Sequence, residues 1–331
     1  MRKELALNKN NLQPHPSWEI IDSSKLKAYQ RCGRAFLFEY GFGWRLEGPN
    51  NHLIFGEAYH RAQEHLLSHG YSVKSVMEAA KIGEEYIRRY FPPNMDAVNE
   101  PKIPGVLPLA LAEYVAKYKS DRFDVLFTEV GGRVPIDDNR SLYFRIDAIV
   151  RDHDQHSMIV ALEHKTASRR GYFEQYTTDL TSGTYNHVLY SVFDPKETYG
   201  VVVNGIVILK RERDFQRLPA RRQPEGMMEW LWTVQHWYDR LEWDFNELGE
   251  CSEDDAVMTA FAKQTEDCFK YGKCKYYDLC HAWQNPLQHA EQPPPGFEVE
   301  WWDPREREQK ATLNPDGTIT STLKQLLDEV A

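Results

Sequence analysis

The sequence holds no apolar run long enough to span a membrane. Its first residues, MRKELALNKNNLQPHP, are basic with no apolar stretch behind them. A secretory signal needs that stretch, so a cytoplasmic protein is expected. An excess of positive charge is also missing: 50 Asp and Glu against 40 Lys and Arg leave a net −10. A protein that merely coats nucleic acid is usually basic. An enzyme that needs carboxylates for a metal and a local basic groove for phosphates is not excluded. Cysteine is scarce, with five in 331 residues and no tight pair two to four positions apart. In a reducing compartment these cysteines point to metal binding rather than disulfides. No internal repeat is present, which sets aside repeat architectures.

What is present suffices for a folded enzyme. Hydrophobic residues make up 41%, enough for a core in one large domain or two modest ones. Basic residues gather at Arg169 and Arg170, at Lys210, Arg211 and Arg213, and at Arg217, Arg221 and Arg222. Each group reads as solvated surface.

After an Asn- and Pro-containing arm, residues 1–20, a helix is predicted from Ser23, with Ser23 or Ser24 as its cap. Apolar residues at helical spacing predict further helices over Gly56 to Leu67, Val73 to Phe91 and Leu107 to Tyr118. Pro92 and Pro93 end the third of these four helices. The pattern then changes. VLFTEV (Val125 to Val130), LYFRIDAIV (Leu142 to Val150) and MIVALEH (Met158 to His164) are β-branched and aromatic runs that read as strands. A helix near Tyr185 to Phe193 and a strand over Gly200 to Lys210 follow. Met227 to Leu241 returns to helix, with its Trp-bearing face as core. From Pro293 the chain turns proline-rich and charged, a peripheral tail over 291–331. The whole predicts an α/β core, a central mixed sheet with helices, preceded by a helical elaboration.

Asp147 lies inside an apolar strand, RIDAIV. Glu163 and Lys165, in ALEHKT, are separated by one residue and so share a strand face. Charged groups flanked by Ile146, Ala148 and Leu162 are not idle. Two carboxylates suit a hard divalent cation such as Mg2+, and a lysine beside them can orient water or neutralise charge in phosphodiester hydrolysis. His60, in FGEAYHRAQEHL, is a metal or phosphate ligand or a satisfied helical histidine. Tyr185 and Tyr190, in TSGTYNHVLY, offer hydroxyls to a phosphate or pack on the sheet. Glu129 is a further acidic group with no assigned role. Cys268, Cys274 and Cys280 are evenly spaced, and Cys32 is the natural fourth ligand because Cys251 lies in an acidic stretch. Four thiolates fit zinc or an iron–sulfur cluster, and the absence of a tight pair favours the cluster.

Taken in order, these pieces resemble the PD-(D/E)XK nucleases of the RecB and AddB type, which include CRISPR-adaptation exonucleases and phage-encoded relatives. The resemblance runs from Ser24 to Cys280: Cys32 in QRCGRAF, His60 in GEAYH, Asp147 in RIDAIV, Glu163 and Lys165 in EHK, then the cysteine trio. It implies a restriction-endonuclease-like core in a single nuclease domain over 21–290. That domain would have a helical part (21–120), a catalytic sheet (121–215), and C-terminal helices with the cluster segment (216–285). It also implies a DNA exonuclease acting on ends or single strands with Mg2+ or Mn2+. The setting would be DNA repair, recombination or phage DNA processing in a bacterial or phage-infected cell, beside a helicase or recombinase. His60, Asp147 and Glu163 would hold the metal, with Lys165 and Tyr185 in the catalytic set. Cys32, Cys268, Cys274 and Cys280 would hold a [4Fe-4S] cluster, with zinc as the alternative. The chain departs from the family pattern at three points. The first gap of the trio is five rather than two, Gly33 follows the first cysteine where proline is frequent, and the glutamine of Q-x-x-x-Y is replaced by Thr181 or Asn186. The alternative function is a non-catalytic DNA-binding or scaffold protein that keeps the fold and cluster.

Overall fold

The computed structural model describes residues 9–270, 272–306 and 309–321. Helix α1 (Ser23–Arg31) begins where Asp22 turns its carboxylate onto Lys25 N at 2.8 Å. The cap is Asp22 rather than Ser23 or Ser24, because a carboxylate takes a free first-turn amide with charge assistance. Strand β1 (Trp44–Leu46) follows. Helix α2 (Asn51–His69) starts five residues ahead of the expected Gly56, since Asn50 accepts from the amides of both His52 and Leu53. Helix α3 (Val73–Arg88) is capped by Ser72, and α4 (Leu107–Tyr118) has the expected bounds. Ala58 and Ala62 of α2 and Ala79 and Ala80 of α3 are buried together, small residues that let the helices close on one another.

Strands β2 (Phe123–Pro135), β3 (Ser141–Asp152) and β4 (Met158–Ala167) extend the three predicted runs. Helix α5 (Leu180–Val192) then connects β4 to β5 (Thr198–Ile208), and these two strands pair in parallel, as a helical crossover allows. Strand β6 (Arg213–Ala220) runs through residues whose arginines had read as open surface. Arg213 instead makes two bonds to Glu113, at 2.6 and 2.7 Å, and Arg217 two to Asp121, at 2.8 and 2.6 Å. Long helix α6 (Pro224–Glu250) buries Trp230, Val234 and Leu241, as its pattern predicted. Strand β7 (Phe297–Val299) comes next. The stretch expected as a peripheral tail also adds β8 (Ala311–Leu313) and β9 (Ile319–Ser321); its residues 307, 308 and 322–331 lie outside the described ones.

The main sheet runs β6-β5-β4-β3-β2-β8-β9. β3 and β4 are antiparallel, β4 and β5 parallel, β5 and β6 antiparallel, and β8 is parallel to β2. Helices α2 and α5 pack against it. This is the mixed sheet with flanking helices of the restriction-endonuclease-like α/β fold. No described helix is long and apolar enough to cross a membrane.

The described chain divides into two units. One, comprising 49–134, 144–227 and 309–321, holds most of the sheet with α2 to α5. The other takes 9–48, 135–143 and 228–306. There β1 pairs antiparallel with β7, and Phe38 stacks on Trp44 with ring centres 5.6 Å apart. Gly33 is needed in this unit. A Cβ at that position would sit 3.0 Å from Ala262 O and 3.1 Å from Phe261 C, both backbone atoms that cannot step aside.

Candidate active site

The site begins where a ladder ends. The pairing of β3 with β4 runs from Asp152 opposite Met158 to Ala148 opposite Leu162 and stops there. One step further, Asp147 Oδ2 accepts the backbone N–H of His164 at 2.7 Å. A side-chain carboxylate thus replaces a ladder bond, and the strands part beside it. β4 stays paired with β5 as far as Ala167, so Glu163 and Lys165 keep a rigid support. Asp147 and Glu163 are each 5% exposed. Lys165 Nζ pairs with Glu163 Oε1, while the buried Glu163 Oε2 has no hydrogen-bond partner among the described residues. From α2, His60 Nδ1 comes to 3.3 Å from Asp147 Oδ1, within ion-pair range but off the line of a hydrogen bond.

Burial opposes the charge on each group, and the neighbours decide the outcome. For Asp147 the positive charge of His60, with Lys165 behind, overcomes burial and holds the carboxyl well below its usual range. Glu163 goes the other way. Burial and the negative charge of Asp147 push it up to about 7, against the pull of Lys165. Lys165 is buried, yet Glu163 and Asp147 raise its pKa, so its proton is held. His60 is lowered by burial and raised more by Asp147, for a net increase.

The structure brings His60, Asp147, Glu163 and Lys165 together. Tyr185 stands close by, with its hydroxyl donating to Arg145 O at 2.6 Å. That bond ties α5 to β3 two residues from Asp147. Asn186, one of the two residues at the glutamine position, bonds Ser182 O and Ala220 O at 2.8 and 2.7 Å. Tyr190 donates to Arg222 O at 3.3 Å.

Several neighbours were not assigned from sequence. Arg145 Nη1 lies 3.0 Å from Glu129 Oε2 and Arg145 Nη2 3.9 Å from Glu57 Oε2. Strand alternation could have found Arg145, since it sits two residues before Asp147. Glu129 has φ 49, a left-handed backbone rare outside glycine. Burial, then repulsion by Asp147, pushes its carboxyl up to about 8. Behind the site, His164 Nδ1 lies 3.0 Å from Asn204 Nδ2. Asn204 Oδ1 accepts from Arg217 Nε at 3.3 Å, so the amide nitrogen must face the histidine, whose proton is then on Nε2. Burial, foremost, pushes His164 down to about 3, which keeps the ring neutral. Local sequence carries no sign of this chain, which depends on the register placing His164 opposite Asn204.

Among the described residues no group of three or more His, Cys, Asp or Glu already stands at single-ion ligand spacing. The donor set nonetheless fits a hard divalent cation: buried carboxylate oxygens, one without any partner, and an imidazole nitrogen.

In the other unit all five cysteines are free thiols. Cys32 caps the C-terminus of α1, and its sulfur accepts from Gln264 N at 3.4 Å. Cys274 N donates to Cys268 O at 2.8 Å. The Cys280 thiol is pushed up to about 12 by burial and then by the nearby Cys32 and Cys274, against Arg34 and Lys263. Burial, then Cys274 and Cys32, raise the Cys268 thiol. The four therefore lie within electrostatic reach of one another. Cys251 is buried with Sγ 3.5 Å from Thr259 Oγ1.

Paired carboxylates with a held lysine, at a break in a buried sheet, are an arrangement that suits metal-assisted phosphodiester hydrolysis. Residues 23–281 match the PD-(D/E)XK nuclease superfamily, a span that takes in His60, Asp147, Glu163, Lys165 and all five cysteines, and the chain belongs to that superfamily. Mg2+ or Mn2+ is the usual cofactor of these nucleases. A search of curated proteins finds no match.

Proposed function

We propose that the chain is a metal-dependent deoxyribonuclease, an exonuclease acting on DNA ends or single strands in repair, recombination or phage DNA processing. The observation that carries this reading is the convergence of Asp147, Glu163, His60 and Lys165 at the parting of β3 and β4, with Glu163 Oε2 left without a donor. Asp147, Glu163 and His60 are the residues that would hold Mg2+ or Mn2+. When bound, the cation stabilises charge on the phosphate and lowers the pKa of water. Lys165, paired with Glu163, is placed to orient water and neutralise developing charge. His164 N–H fixes the rotation of the Asp147 carboxylate. Tyr185 fixes β3 beside it through Arg145 O.

Cys32, Cys268, Cys274 and Cys280 are proposed to hold a [4Fe-4S] cluster. Their mutual reach, which a shared cluster needs, supports it, as do the N–H donated to Cys32 sulfur and the cationic Arg34 and Lys263 nearby, which favour thiolates.

The test is anaerobic purification, a visible spectrum with iron and zinc content, and incubation with end-labelled single- and double-stranded DNA with and without Mn2+. The expected result is a brown protein that degrades DNA only with metal, with Asp147→Ala and Lys165→Ala binding DNA but not cutting it. A wild-type protein that binds and never cuts would replace this reading with the scaffold one. A colourless protein containing zinc would replace the cluster. A variant at Asp147 or Lys165 that still cuts would sink the site assignment.

A further inference from the structure

The segment between β4 and α5, SRRGYFEQYTTD, is rich in arginine and tyrosine and has no part in the site described so far. Phe173 is its anchor. Gly205 stands beside Lys165 in the parallel register of β4 and β5, and paired residues of neighbouring strands share a face. A Cβ on Gly205 would sit 2.5 Å from the Phe173 ring, so the buried Phe173 lies against β5 on the face that carries Lys165. A short 3-10 helix, Phe173–Thr177, continues from it. Ser182 Oγ donates to Tyr176 O, and Arg222 Nη2 donates to Thr178 O at 2.6 Å. The turn is thereby fixed to α5 and to the residues after β6.

What this anchored turn presents is a row of rings that starts at the site. Lys165 Nζ lies 5.7 Å from the centre of the Tyr176 ring. Tyr172 comes next, with its ring centre 6.0 Å from that of Tyr176 and the two planes at 67°. Arg169, which is exposed, ends the row with Cζ 5.5 Å from the Tyr172 ring centre. Both tyrosines are half-buried, held on one side and open on the other. The row also stands where the site meets solvent. The Lys165 side chain is 23% exposed, against 15% for His60 and 5% for Asp147, so the cluster is approached past Lys165 and hence past Tyr176. Tyrosines on a fixed turn give flat contact area at low entropic cost, and every base has a face to lay on them. Bases laid on rings at 67° would be tilted likewise, which an unpaired strand allows and the parallel stack of a duplex does not.

We propose that Tyr176 and Tyr172 form a stacking platform for two successive bases of a single DNA strand beside the scissile phosphate, with Arg169 at its outer end offering a cation to the backbone. This rests on the nuclease reading and specifies the form in which that site takes its substrate, with the bases next to the cut unpaired.

The test uses the full chain with Mn2+ and end-labelled single-stranded oligonucleotides, each carrying one abasic site at a successive position from the first scissile bond. For the wild type, two adjacent positions beside that bond are expected to raise KM, each by roughly 5- to 150-fold, the loss of one base stack. Tyr176→Leu should show a raised KM on the intact strand and no further penalty at one of these positions, and Tyr172→Leu the same at the other. Tyr176→Phe and Tyr172→Phe keep a ring and should restore most of the affinity. Arg169→Ala should lower the slope of log KM against log salt by about 0.7, one phosphate contact on a single strand. With the metal chelated, fluorescence anisotropy should show Tyr172→Leu losing affinity for a labelled single strand and not for a blunt duplex. Leucine variants that keep the wild-type abasic profile would overturn the platform. So would an equal loss on single strand and duplex, or a lower Tm with activity lost only in step with folded protein, the mark of tyrosines that serve packing alone. A fall in kcat for Tyr176→Leu with the abasic profile intact would overturn it in favour of a ring that only supports Lys165. If the platform fails while the wild type cuts DNA, the nuclease stands. A wild type that neither cuts nor binds DNA would overturn both.

Discussion

Removing the proposed cluster should weaken one unit of the protein and spare the other. Cys32 and Cys280 lie 248 positions apart. A covalent clip closing a loop of that length removes about 5 kcal/mol of chain entropy from the unfolded state by the simplest estimate. The segments are already tethered, by β1 on β7 and by Tyr276 Oη donating to Trp44 O at 2.5 Å, so part of that constraint exists without the cluster. About 2–4 kcal/mol is the expected net loss. In guanidinium chloride this corresponds to a midpoint lower by roughly 0.5–1 M. The assay is built into the sequence. All nine tryptophans lie in the cysteine-bearing unit, so their fluorescence reports on it alone. Far-ultraviolet circular dichroism follows both units, since α6 lies almost wholly in the cysteine-bearing one, and the sheet-bearing unit appears in it as a second transition. Stripping iron from anaerobically purified protein, or Cys280→Ser, should shift the tryptophan transition and leave the second transition in place. A tryptophan midpoint that does not move on iron removal would refute the clip.

Asn204→Leu removes the partner of His164 Nδ1 and leaves a buried ring nitrogen unsatisfied, at a cost of about 1–3 kcal/mol. Thermal melts should show that loss, and the Mn2+ concentration for half-maximal cleavage should rise because Asp147 rests on the His164 backbone. Gly205→Ala would place a methyl 2.5 Å from the Phe173 ring, opposite Lys165 in the parallel register, and should destabilise by about 1–3 kcal/mol in the same melts. Glu113 has its pKa lowered, first by its hydrogen bonds from Arg213 and then by that arginine's charge. The contribution of the pair is therefore present above the unfolded value of about 4.3 and lost as pH falls through the lower folded value. Glu113 is more than a third exposed, so Glu113→Gln should cost about 0.5 kcal/mol or less at pH 7 and nothing measurable at pH 3 in urea titrations.

Local pattern carried the elements that pack one face at a time. The apolar runs around Asp147 and Glu163 announced buried strands, and period-2 alternation placed Glu163 and Lys165 together. Helix α4 was legible to the residue because Pro104 and the turn after it leave no alternative start. Helix α2 began early because Asn50, a polar residue in a polar loop, gave no sign that its side chain would cap. β6 was read as surface because an arginine in a strand looks the same whether it meets water or Asp121. The supports of the site were hidden for a related reason. His164, Asn204 and Arg217 meet only once β4, β5 and β6 are in register, and Glu129 reaches the carboxylates only through a left-handed residue.

The cysteine-bearing unit is assembled from both ends of the chain, and this has a consequence during synthesis. β1 emerges from the ribosome about 250 residues before β7, its pairing partner. At 5–20 residues per second that is a wait of roughly 10–50 seconds. Over that interval Trp44 and Phe38 have no finished core, and Cys32 is a solitary thiol that cannot yet receive metal. The sheet-bearing unit has its strands through β6 already made by then. If the four cysteines hold the proposed cluster, the order of manufacture leaves it as the last thing the chain can acquire. A cell starved of iron would be expected to accumulate protein whose sheet is formed and whose ends are not joined.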